Sequence, residues 1–484
     1  MSNESKTRFS RPWLVRAVVF VVIVSLFAPS AVSALTYEPS DTDLQKGTIE
    51  SPAGGTTVIS IQGFKFQGQA NGKKPARLVG VGPRGDVQWV HNGGESITWF
   101  YDVDPINGSN LLVTGTKHVA GQKDPTVVYE YNPETDEKLW TETFESAHDT
   151  HDVDLINGDQ LLVANMRNYN PEKEVNEDRI FIYDRGTNEV VWEWQFRNHT
   201  DWTKKQGGTY AAEDGSGDDW THVNDVDKIA EGQYLISPRN FDQVMVINRS
   251  TKDIDMRLGS DNNYDVMNEQ HNPTYMESDN GTPTILVADS HGDRVVEYAK
   301  RGDGDWEQTW QVGSQQSFNW PRDADRLPNG NTLIVDSNNH RVVEVNTEGE
   351  VVWEFYAPWA PYDVERMHLG DEAMSADDRP TMADQNAEGE YPITGSAGLT
   401  PGTGQKLTFS QWLTAAFAGT PIAEPMGKFA TQWSKIAPWV RPVWMGPWDF
   451  VGAVAGGLLL VGWILGELLY NRKRISSGVR RRIA

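Results

Sequence analysis

Apolar and polar residues alternate through the middle of the chain in units that recur about every 50 residues. Each unit reads as a strand, an Asn-Gly-type turn, a second strand and a β-hairpin, because turn-forming residues separate the alternating runs. Five copies begin alike: YDVDPINGSNLLVTG from Tyr101, HDVDLINGDQLLVAN from His151, NDVDKIAEGQYLISP from Asn224, HNPTYMESDNGTPTILVAD from His271 and RDADRLPNGNTLIVD from Arg322. A further hairpin precedes the first copy, and its early strand begins at Thr56.

Such a four-stranded sheet has two apolar faces and buries both only by stacking against neighbouring sheets. A solenoid also stacks repeats, but tryptophans at one register of successive hairpins favour propeller blades. These tryptophans are Trp89, Trp140, Trp192, Trp310 and Trp353. The sequence therefore predicts an all-β, six-bladed β-propeller over residues 55–357, with the strand from Thr56 joining the first or last blade to close the ring.

Two apolar segments flank the predicted propeller. Residues 1–34 combine basic residues, an apolar run and small residues, which is typical of a signal peptide, with an uncleaved anchor as the alternative. Residues 450–470 predict a C-terminal transmembrane helix, and the basic tail 471–484 follows it. The basic flanks predict a cell-membrane protein with both chain ends in the cytoplasm and the propeller outside.

Two further segments lie between the propeller and the span. Residues 369–405 are rich in Asp, Gly, Pro and Thr and predict a disordered linker. Residues 408–445 carry aromatic side chains among small residues, which favours amphipathic helices on the outer leaflet over a small cap on the propeller. Gly452 and Gly456 have the GxxxG spacing of helix dimers, although small residues are common in spans anyway, so the oligomeric state stays open.

Charge and composition narrow the possible partners. The net charge of -25 argues against a nucleic-acid partner, whose phosphates need a basic footprint. Dispersed acidic residues predict a halophilic protein that is soluble at high salt. The absence of cysteine excludes disulfides and thiol catalysis. The acidic run around Asp214, Asp218 and Asp219 is interpreted as a solvated loop rather than a calcium site.

The Asp-x-Asp pairs that open four of the copies are predicted to bond turn and backbone groups between blades rather than a metal. They are Asp102/Asp104, Asp152/Asp154, Asp225/Asp227 and Asp323/Asp325. When the five copies are aligned, the residues just before the Asp-x-Asp position form a column of inner-strand side chains, and His271 stands there in the copy that lacks the pair. The column is Tyr101, His151, Asn224, His271 and Arg322. Two residues earlier, on the same face of the strand, stand Trp99, Asp149, His222 and Trp320.

Radial symmetry predicts that these side chains meet at the central channel. Arg167 and Arg239 each follow the second strand of a blade and can reach the same mouth. Polar residues also line channels merely because water fills them. Three histidines and an arginine at one structural position favour a functional site instead.

These residues carry a resemblance to the arylsulfate sulfotransferase family, and the terminal segments and acidity are similar to a haloarchaeal, membrane-anchored type. The segments HDTHDVDLINGDQLLVANM, DWTHVNDVDKIAEGQYLISPRN and NEQHNPTYMESDNGTPTILVADSHGDRVVEY resemble its blade motifs. The Trp220–Asp225 motif followed by Ser237-Pro238-Arg239 is the most specific part, and Gln270-His271 is moderately specific.

The resemblance implies an exported six-bladed propeller that needs no cofactor. It implies transfer of a sulfuryl group from a phenolic sulfate to a phenol through a histidine-bound intermediate, without a nucleotide donor. His271 would be the nucleophile, and His222, Arg239 and His151 would bind the sulfate oxygens. The column adds Arg322 and Tyr101 to the expected substrate-binding residues.

The chain also departs from the family. Asn272 follows His271 where family enzymes carry an acidic residue, and the membrane span and lack of cysteine differ from periplasmic members. The competing hypothesis is a non-catalytic propeller that binds a ligand or protein, because DSHGDRVVEY from Asp289 and DSNNHRVVEV from Asp336 resemble NHL repeats. Convergence of the predicted histidines and arginines would favour the enzyme.

Overall fold

The computed structural model describes residues 11–36, 43–63, 76–94, 96–106, 109–121, 123–199, 206–207, 219–302, 304–369, 379–400, 403, 406–442 and 444–483. The chain divides into a β unit within Asp41–Leu407 and a helical unit formed by the described parts of Met1–Ser40 and Thr408–Ala484.

The strands, in chain order, are β1 (Gln45–Ile49), β2 (Thr57–Ile61), β3 (Arg77–Val81), β4 (Val87–His91), β5 (Ile97–Ile106), β6 (Asn110–Lys117), β7 (Pro125–Asn132), β8 (Glu137–His148), β9 (Val153–Ile156), β10 (Gln160–Asn165), β11 (Tyr169–Asn170), β12 (Val175–Asn176), β13 (Arg179–Asp184), β14 (Glu189–Gln195), β15 (Val223–Ala230), β16 (Gln233–Pro238), β17 (Gln243–Asn248), β18 (Ile254–Gly259), β19 (His271–Glu277), β20 (Pro283–Asp289), β21 (Arg294–Lys300), β22 (Trp306–Val312), β23 (Pro321–Arg326), β24 (Thr332–Asp336), β25 (Arg341–Val345), β26 (Val351–Tyr356), β27 (Pro361–Arg366) and β28 (Gly389–Tyr391). The α-helices are α1 (Arg11–Thr36), α2 (Phe409–Phe417), α3 (Ala423–Val440) and α4 (Pro447–Ile483).

Six antiparallel four-stranded sheets form the blades. From the inner to the outer strand they are blade 1 (β27-β2-β3-β4), blade 2 (β5-β6-β7-β8), blade 3 (β9-β10-β13-β14), blade 4 (β15-β16-β17-β18), blade 5 (β19-β20-β21-β22) and blade 6 (β23-β24-β25-β26). Within the described residues, each pair of neighbouring blades encloses one buried apolar cluster, including a cluster between blades 6 and 1. An open stack would lack that last cluster, so the ring is closed and the predicted six-bladed propeller is confirmed.

Strands from both ends of the β unit close the ring. β2, the strand from Thr57, pairs with β27, which supplies the inner strand of blade 1 from the far end of the sequence. β1 pairs antiparallel with β26 and adds an outer strand to blade 6. The predicted bounds 55–357 are narrower than the propeller, because β1 and β27 lie outside them.

The prediction of a disordered linker over residues 369–405 is wrong for the described residues 379–400. β28 pairs in parallel with β22 at the outer edge of blade 5. Met382 is buried between blades 5 and 6, and its backbone N–H donates to the buried carboxylate of Glu297 at 3.1 Å. Residues 370–378, 401–402 and 404–405 lie outside the described part. A few apolar anchors thus order a segment whose average composition indicates disorder.

Inner-strand carboxylates join consecutive blades. Each accepts a backbone N–H from the next blade: Asp363 from Val103 at 2.8 Å, Asp323 from Val364 at 3.1 Å, Asp154 from Lys228 at 3.1 Å, and Asp152 from Val226. The predicted structural role of the Asp-x-Asp pairs is confirmed at Asp152, Asp154 and Asp323. Burial, together with the neighbouring Asp102 and Asp225, raises the pKa of Asp152 well above its usual range.

The helical unit contains two helices that are long and apolar enough to cross a membrane, by length and composition: Trp13–Thr36 within α1 and Pro447–Arg472 within α4. The predicted C-terminal span lies inside α4. α2 and α3 pack against the start of α4 through aromatic rings. The ring centres of Phe409 and Trp448 lie 6.0 Å apart, and those of Trp433 and Phe450 lie 5.6 Å apart.

We expect Asp363→Ala to lower the free energy of unfolding by about 1–3 kcal/mol, because it leaves the buried N–H of Val103 without its carboxylate acceptor. Chemical denaturation measures the change. The matched control is Asp253→Ala, at an exposed position in a turn. Equal losses of stability in the two variants would contradict a role for Asp363 in joining blades 1 and 2.

Candidate active site at the channel

Four of the five predicted column residues meet around Tyr362, the inner-strand residue of blade 1, whereas the fifth, Asn224, donates to the carbonyl of Gln270 at 2.9 Å. The ring of Tyr362 lies 5.1 Å from that of Tyr101, 5.3 Å from His151 and 6.0 Å from His271, between ring centres. The guanidinium carbon of Arg322 lies 5.1 Å from the same ring. Side chains from blades 1, 2, 3, 5 and 6 therefore share one buried cluster.

Blade 4 contributes His222, whose ring lies 5.2 Å from that of His151 in an edge-to-face arrangement. Tyr101 stacks on the other side of His151 at 4.0 Å. Arg239 is buried, and its charge lowers the pKa of both His222 and His271, which places it within electrostatic reach of the cluster. All six sequence-predicted site residues are thus brought together.

A repeated left-handed turn precedes the inner strands. The residue two positions before the column has a positive φ in blades 1 and 3–6: Ala360 (54°), Asp149 (56°), His222 (43°), Glu269 (51°) and Trp320 (60°). This conformation costs roughly 1 kcal/mol or more for a residue other than glycine. Because it recurs with unrelated side chains, the blade geometry imposes it. The turn thus precedes the inner strand at the same position in five of the six blades.

The segment around His222 is held by its neighbours. Buried Asp178 accepts both the backbone N–H of Thr221 at 3.2 Å and its hydroxyl at 2.7 Å. The backbone N–H of Arg239 donates to the carbonyl of His222 at 3.2 Å, and that of Asn240 donates to the carbonyl of Thr221 at 3.1 Å. The two segments of the most specific motif, Trp220–Asp225 and Ser237-Pro238-Arg239, therefore lie together at one corner of the site.

Hydrogen bonding assigns the tautomer of His271. Its Nδ1 lies 2.8 Å from the hydroxyl of Ser290, and that hydroxyl donates to the carbonyl of Pro321 at 2.6 Å. A hydroxyl has one proton, so Ser290 accepts from His271 Nδ1–H, which leaves Nε2 as the unprotonated nitrogen. Burial, reinforced by the charges of Arg322 and Arg239, lowers the pKa of His271 well below 6.5. The imidazole is therefore neutral and nucleophilic near neutral pH.

A hydrogen-bond network of charged side chains holds His222 in place. Its Nδ1 contacts both oxygens of Asp219 at 2.8 and 2.9 Å, and burial lowers the pKa of His222 to about 3. Arg167 Nε donates to Asp219 at 2.9 Å, and Arg167 Nη1 donates to Asp149, which also accepts the hydroxyl of Tyr101. These five residues connect blade 2 to blade 4 across the site. Burial and the charge of Arg239 keep the imidazole neutral against the opposing effect of Asp219, which accepts the Nδ1–H.

Arg322 is a buried cation that is held by an amide and by aromatic rings. It is 5% exposed, its Nη1 donates to Gln62 at 2.6 Å, and its guanidinium lies over the rings of Trp320 and Tyr362. Among the described residues, no Asp or Glu forms a salt bridge with it. Burial lowers its pKa from 12.5. A buried guanidinium in this state favours an anionic ligand, which would supply the missing charge.

Sequence reasoning missed Tyr362 and Asp219, besides Ser290 and Gln62, the hydrogen-bond partners of His271 and Arg322. Tyr362 opens the segment YDVE, which repeats the YDVD of Tyr101, but the prolines around Trp359 obscured the sixth copy. Asp219 was assigned to a solvated acidic loop, and the structure instead places it against His222 and Arg167. Asp214 and Asp218 of that run lie outside the described residues.

A family model described as Arylsulfotransferase (ASST) matches residues 123–357. This match supports the arylsulfotransferase family. It covers the chain from β7 to β26, and so includes three histidines and two arginines of the cluster but neither Tyr101 nor Tyr362. An arylsulfotransferase domain suggests sulfotransferase activity.

No curated protein matches the chain. Similar solved structures include a protein of unknown function from Bacteroides caccae, with 13% identity, 65% of this chain and 98% of that chain covered, and a TM-score of 0.43. A protein from Lactobacillus plantarum has 12% identity, 64% and 99% coverage and a TM-score of 0.38. Hydrazine synthase from Kuenenia stuttgartiensis has 13% identity, 65% and 80% coverage and a TM-score of 0.35. These distant likenesses carry no argument about function.

We expect acidification to destabilise the wild type more steeply than His222→Asn. The folded chain holds this imidazole neutral to about pH 3, whereas the unfolded chain protonates it near 6.5. Between these values the unfolded state binds more protons, so this group's contribution to stability is lost as pH falls, by up to about 1.4 kcal/mol per pH unit. Denaturation from pH 7 to pH 4 measures the slope, with His118→Asn as a control outside the cluster. Identical slopes for wild type and His222→Asn would contradict the depressed pKa.

Proposed function

We propose that the protein is an aryl sulfotransferase that moves a sulfuryl group from a phenolic sulfate to a phenol through a sulfohistidine at His271, without a nucleotide donor. The observation that carries the proposal is the placement of the neutral His271 imidazole beside Arg322, a buried cation that forms no salt bridge with any carboxylate in the described part of the chain. A nucleophile and a charge for the sulfate oxygens thus occupy one water-poor cluster.

The reaction proceeds in two balanced halves. His271 Nε2 attacks the sulfur of the donor, an N–S bond forms, and the S–O bond to the aryl group breaks. The acceptor phenol then attacks the same sulfur, and the N–S bond breaks. Arg239, Arg322 and His151 bind the sulfuryl oxygens, whose negative charge is shared among them as in phosphoryl transfer.

One proton must move in each half. The acceptor phenol loses a proton when it attacks, and the departing phenolate gains one. His222 suits the second half, because Asp219 holds its Nδ1–H and stabilises the imidazolium that forms when Nε2 takes the proton of the acceptor phenol. His222 then releases this proton to solvent, and the phenolate that departs in the first half takes its proton from solvent, so the cycle balances.

Aromatic side chains suit an aryl substrate. Tyr101 and Tyr362 lie next to the histidines, and Trp320 lies on Arg322 at 4.8 Å. Ring faces and edges bind phenolic rings through offset stacking and edge contacts. The resulting partners are a small aryl sulfate and a phenol, and the proposed chemistry needs no cofactor.

For localisation, we propose that α1 and α4 anchor the chain in the cell membrane with both ends in the cytoplasm and the propeller outside. Apolar helices lie towards both ends of the chain, and clusters of Lys and Arg flank them on the sides that this orientation places in the cytoplasm.

We expect His271→Ala to abolish transfer from 4-nitrophenyl sulfate to a phenol in high salt, because it removes the nucleophile. Arg239→Ala is expected to lower kcat by about 10²-fold through lost stabilisation of the sulfuryl oxygens. His118→Ala, outside the cluster, serves as the control. Alkaline trapping of the wild type during turnover should yield labelled sulfohistidine.

Two results would overturn this assignment. Full activity of His271→Ala with loss of activity in His222→Ala would move the nucleophile to blade 4. Unchanged turnover or binding in the His151, His222, Arg239 and His271 variants would exclude the channel cluster as the active site. The non-catalytic binding propeller would then explain the chain better.

Protease added to intact cells should digest the propeller and leave the Arg-rich C-terminal tail intact, because only the propeller faces outside. An epitope on the tail and an antibody to the propeller report the two products. Permeabilised cells provide the control, in which both are digested. Protection of the propeller in intact cells would reverse the proposed topology.

A further inference from the structure

α1 and α4 bind each other at both ends of their apolar stretches. At one end, Arg16 forms a two-point ion pair with Glu467, at 2.6 and 2.7 Å. At the other end, the hydroxyl of Ser33 donates to the carboxylate of Asp449 at 2.9 Å, and that of Ser30 donates to the carbonyl of Asp449 at 2.9 Å. An early residue of α1 thus meets a late residue of α4, so the two helices run antiparallel.

The two pairs of contacts lie one membrane thickness apart. At a rise of about 1.5 Å per residue, about 26 Å separates Arg16 from Ser33 and about 27 Å separates Asp449 from Glu467. The hydrocarbon core of a bilayer is about 30 Å thick. The two distances agree with each other and with the thickness of the hydrocarbon core. The polar contacts therefore lie near the two membrane interfaces, with apolar residues between them.

Two glycines of α4 bring the helices close between these ends. A Cβ at Gly452 would lie 2.9 Å from the carbonyl oxygen of Leu26, and a Cβ at Gly456 would lie 2.9 Å from the ring of Phe27. A Cβ at Gly457 would meet nothing within 4 Å. The two glycines of the GxxxG spacing therefore pack against α1 of the same chain. Small residues are common at such contacts, because they let helices approach closely in lipid.

We infer that α1 is a permanent transmembrane helix, held as an antiparallel hairpin with α4, and not a removable signal peptide. Glu467 lies in an apolar helix, where a carboxylate is costly unless it is paired. Removal of α1 would take away its partner Arg16 and expose the glycine face. The small residues at 31–34, where a signal peptidase would cut, lie within α1, and Ser33 among them is bonded to Asp449.

The hairpin is independent of the proposed sulfuryl transfer, since it concerns only the helical unit. It does require that the helices lie in a membrane. In an antiparallel pair, the N-terminal end of α1 and the C-terminal end of α4 lie on the same side of the membrane. This agrees with the proposal that both chain ends are cytoplasmic.

Mass spectrometry of the full chain purified from membranes tests retention of α1. The expected result is a mature protein that contains residues 13–36. A mature chain that begins near residue 35 would overturn the inference, whatever the activity of the propeller. This measurement uses the wild type, so no loss of folding can obscure it.

Cysteine cross-linking tests the pairing, because the chain has no cysteine of its own. Ser33→Cys combined with Asp449→Cys should cross-link within one chain in native membranes when a short thiol-reactive linker is added. Gly452→Leu should reduce the yield at least about fivefold, because its side chain meets the α1 backbone, whereas Gly457→Leu should not. Absence of the intramolecular product, or a product linking two chains instead, would overturn the hairpin.

Discussion

Burial of both faces of every blade is the constraint on which the rest of the structure depends. A twisted four-stranded sheet with apolar residues on both faces is stable only between two others, so the ring must close. Closure here uses β27, which comes from the far end of the β unit and carries Tyr362 into the centre of the cluster. The site is therefore complete only when the last inner strand has joined the first blade. The pairing of β27 with β2 thus both closes the ring and completes the site.

Low exposure to water produces the electrostatic character of the site. It keeps His151, His222 and His271 neutral by lowering the pKa of each, with loss of hydration as the largest cause. The same lack of water makes an isolated positive charge costly, which separates Arg322 from other buried arginines of the propeller.

Two of those other arginines have fully buried carboxylate partners. Arg326 binds Glu297 at 3.0 Å and Arg341 binds Asp336 at 2.7 Å, with all four side chains fully buried. The first pair joins blade 6 to blade 5 and the second joins two strands of blade 6, whereas Arg322 is bonded to an amide and lies over aromatic rings. The contrast distinguishes a structural cation from one that can receive an anion.

The sequence predicted the blades and the meeting of their inner residues, because alternation has a period of two and symmetry relates equivalent positions. It could not predict Tyr362, because prolines interrupt the pattern of its repeat. It could not predict the role of Asp219 either, because an acidic run has the same composition whether or not its last residue contacts a histidine. Order at Met382 and β28 also escaped prediction. Each of these depends on contacts between distant parts of the chain, for which local composition gives no signal.

The left-handed turn before the inner strands has a consequence for how such a protein can diversify. The turn accepts Ala360, Asp149, His222, Glu269 and Trp320 alike, so the backbone does not dictate the side chain at this position. Five of the six blades thereby offer one exchangeable position on a fixed scaffold. A lineage can then alter size, charge or aromatic character around the axis one blade at a time, without repacking the interfaces that make the ring.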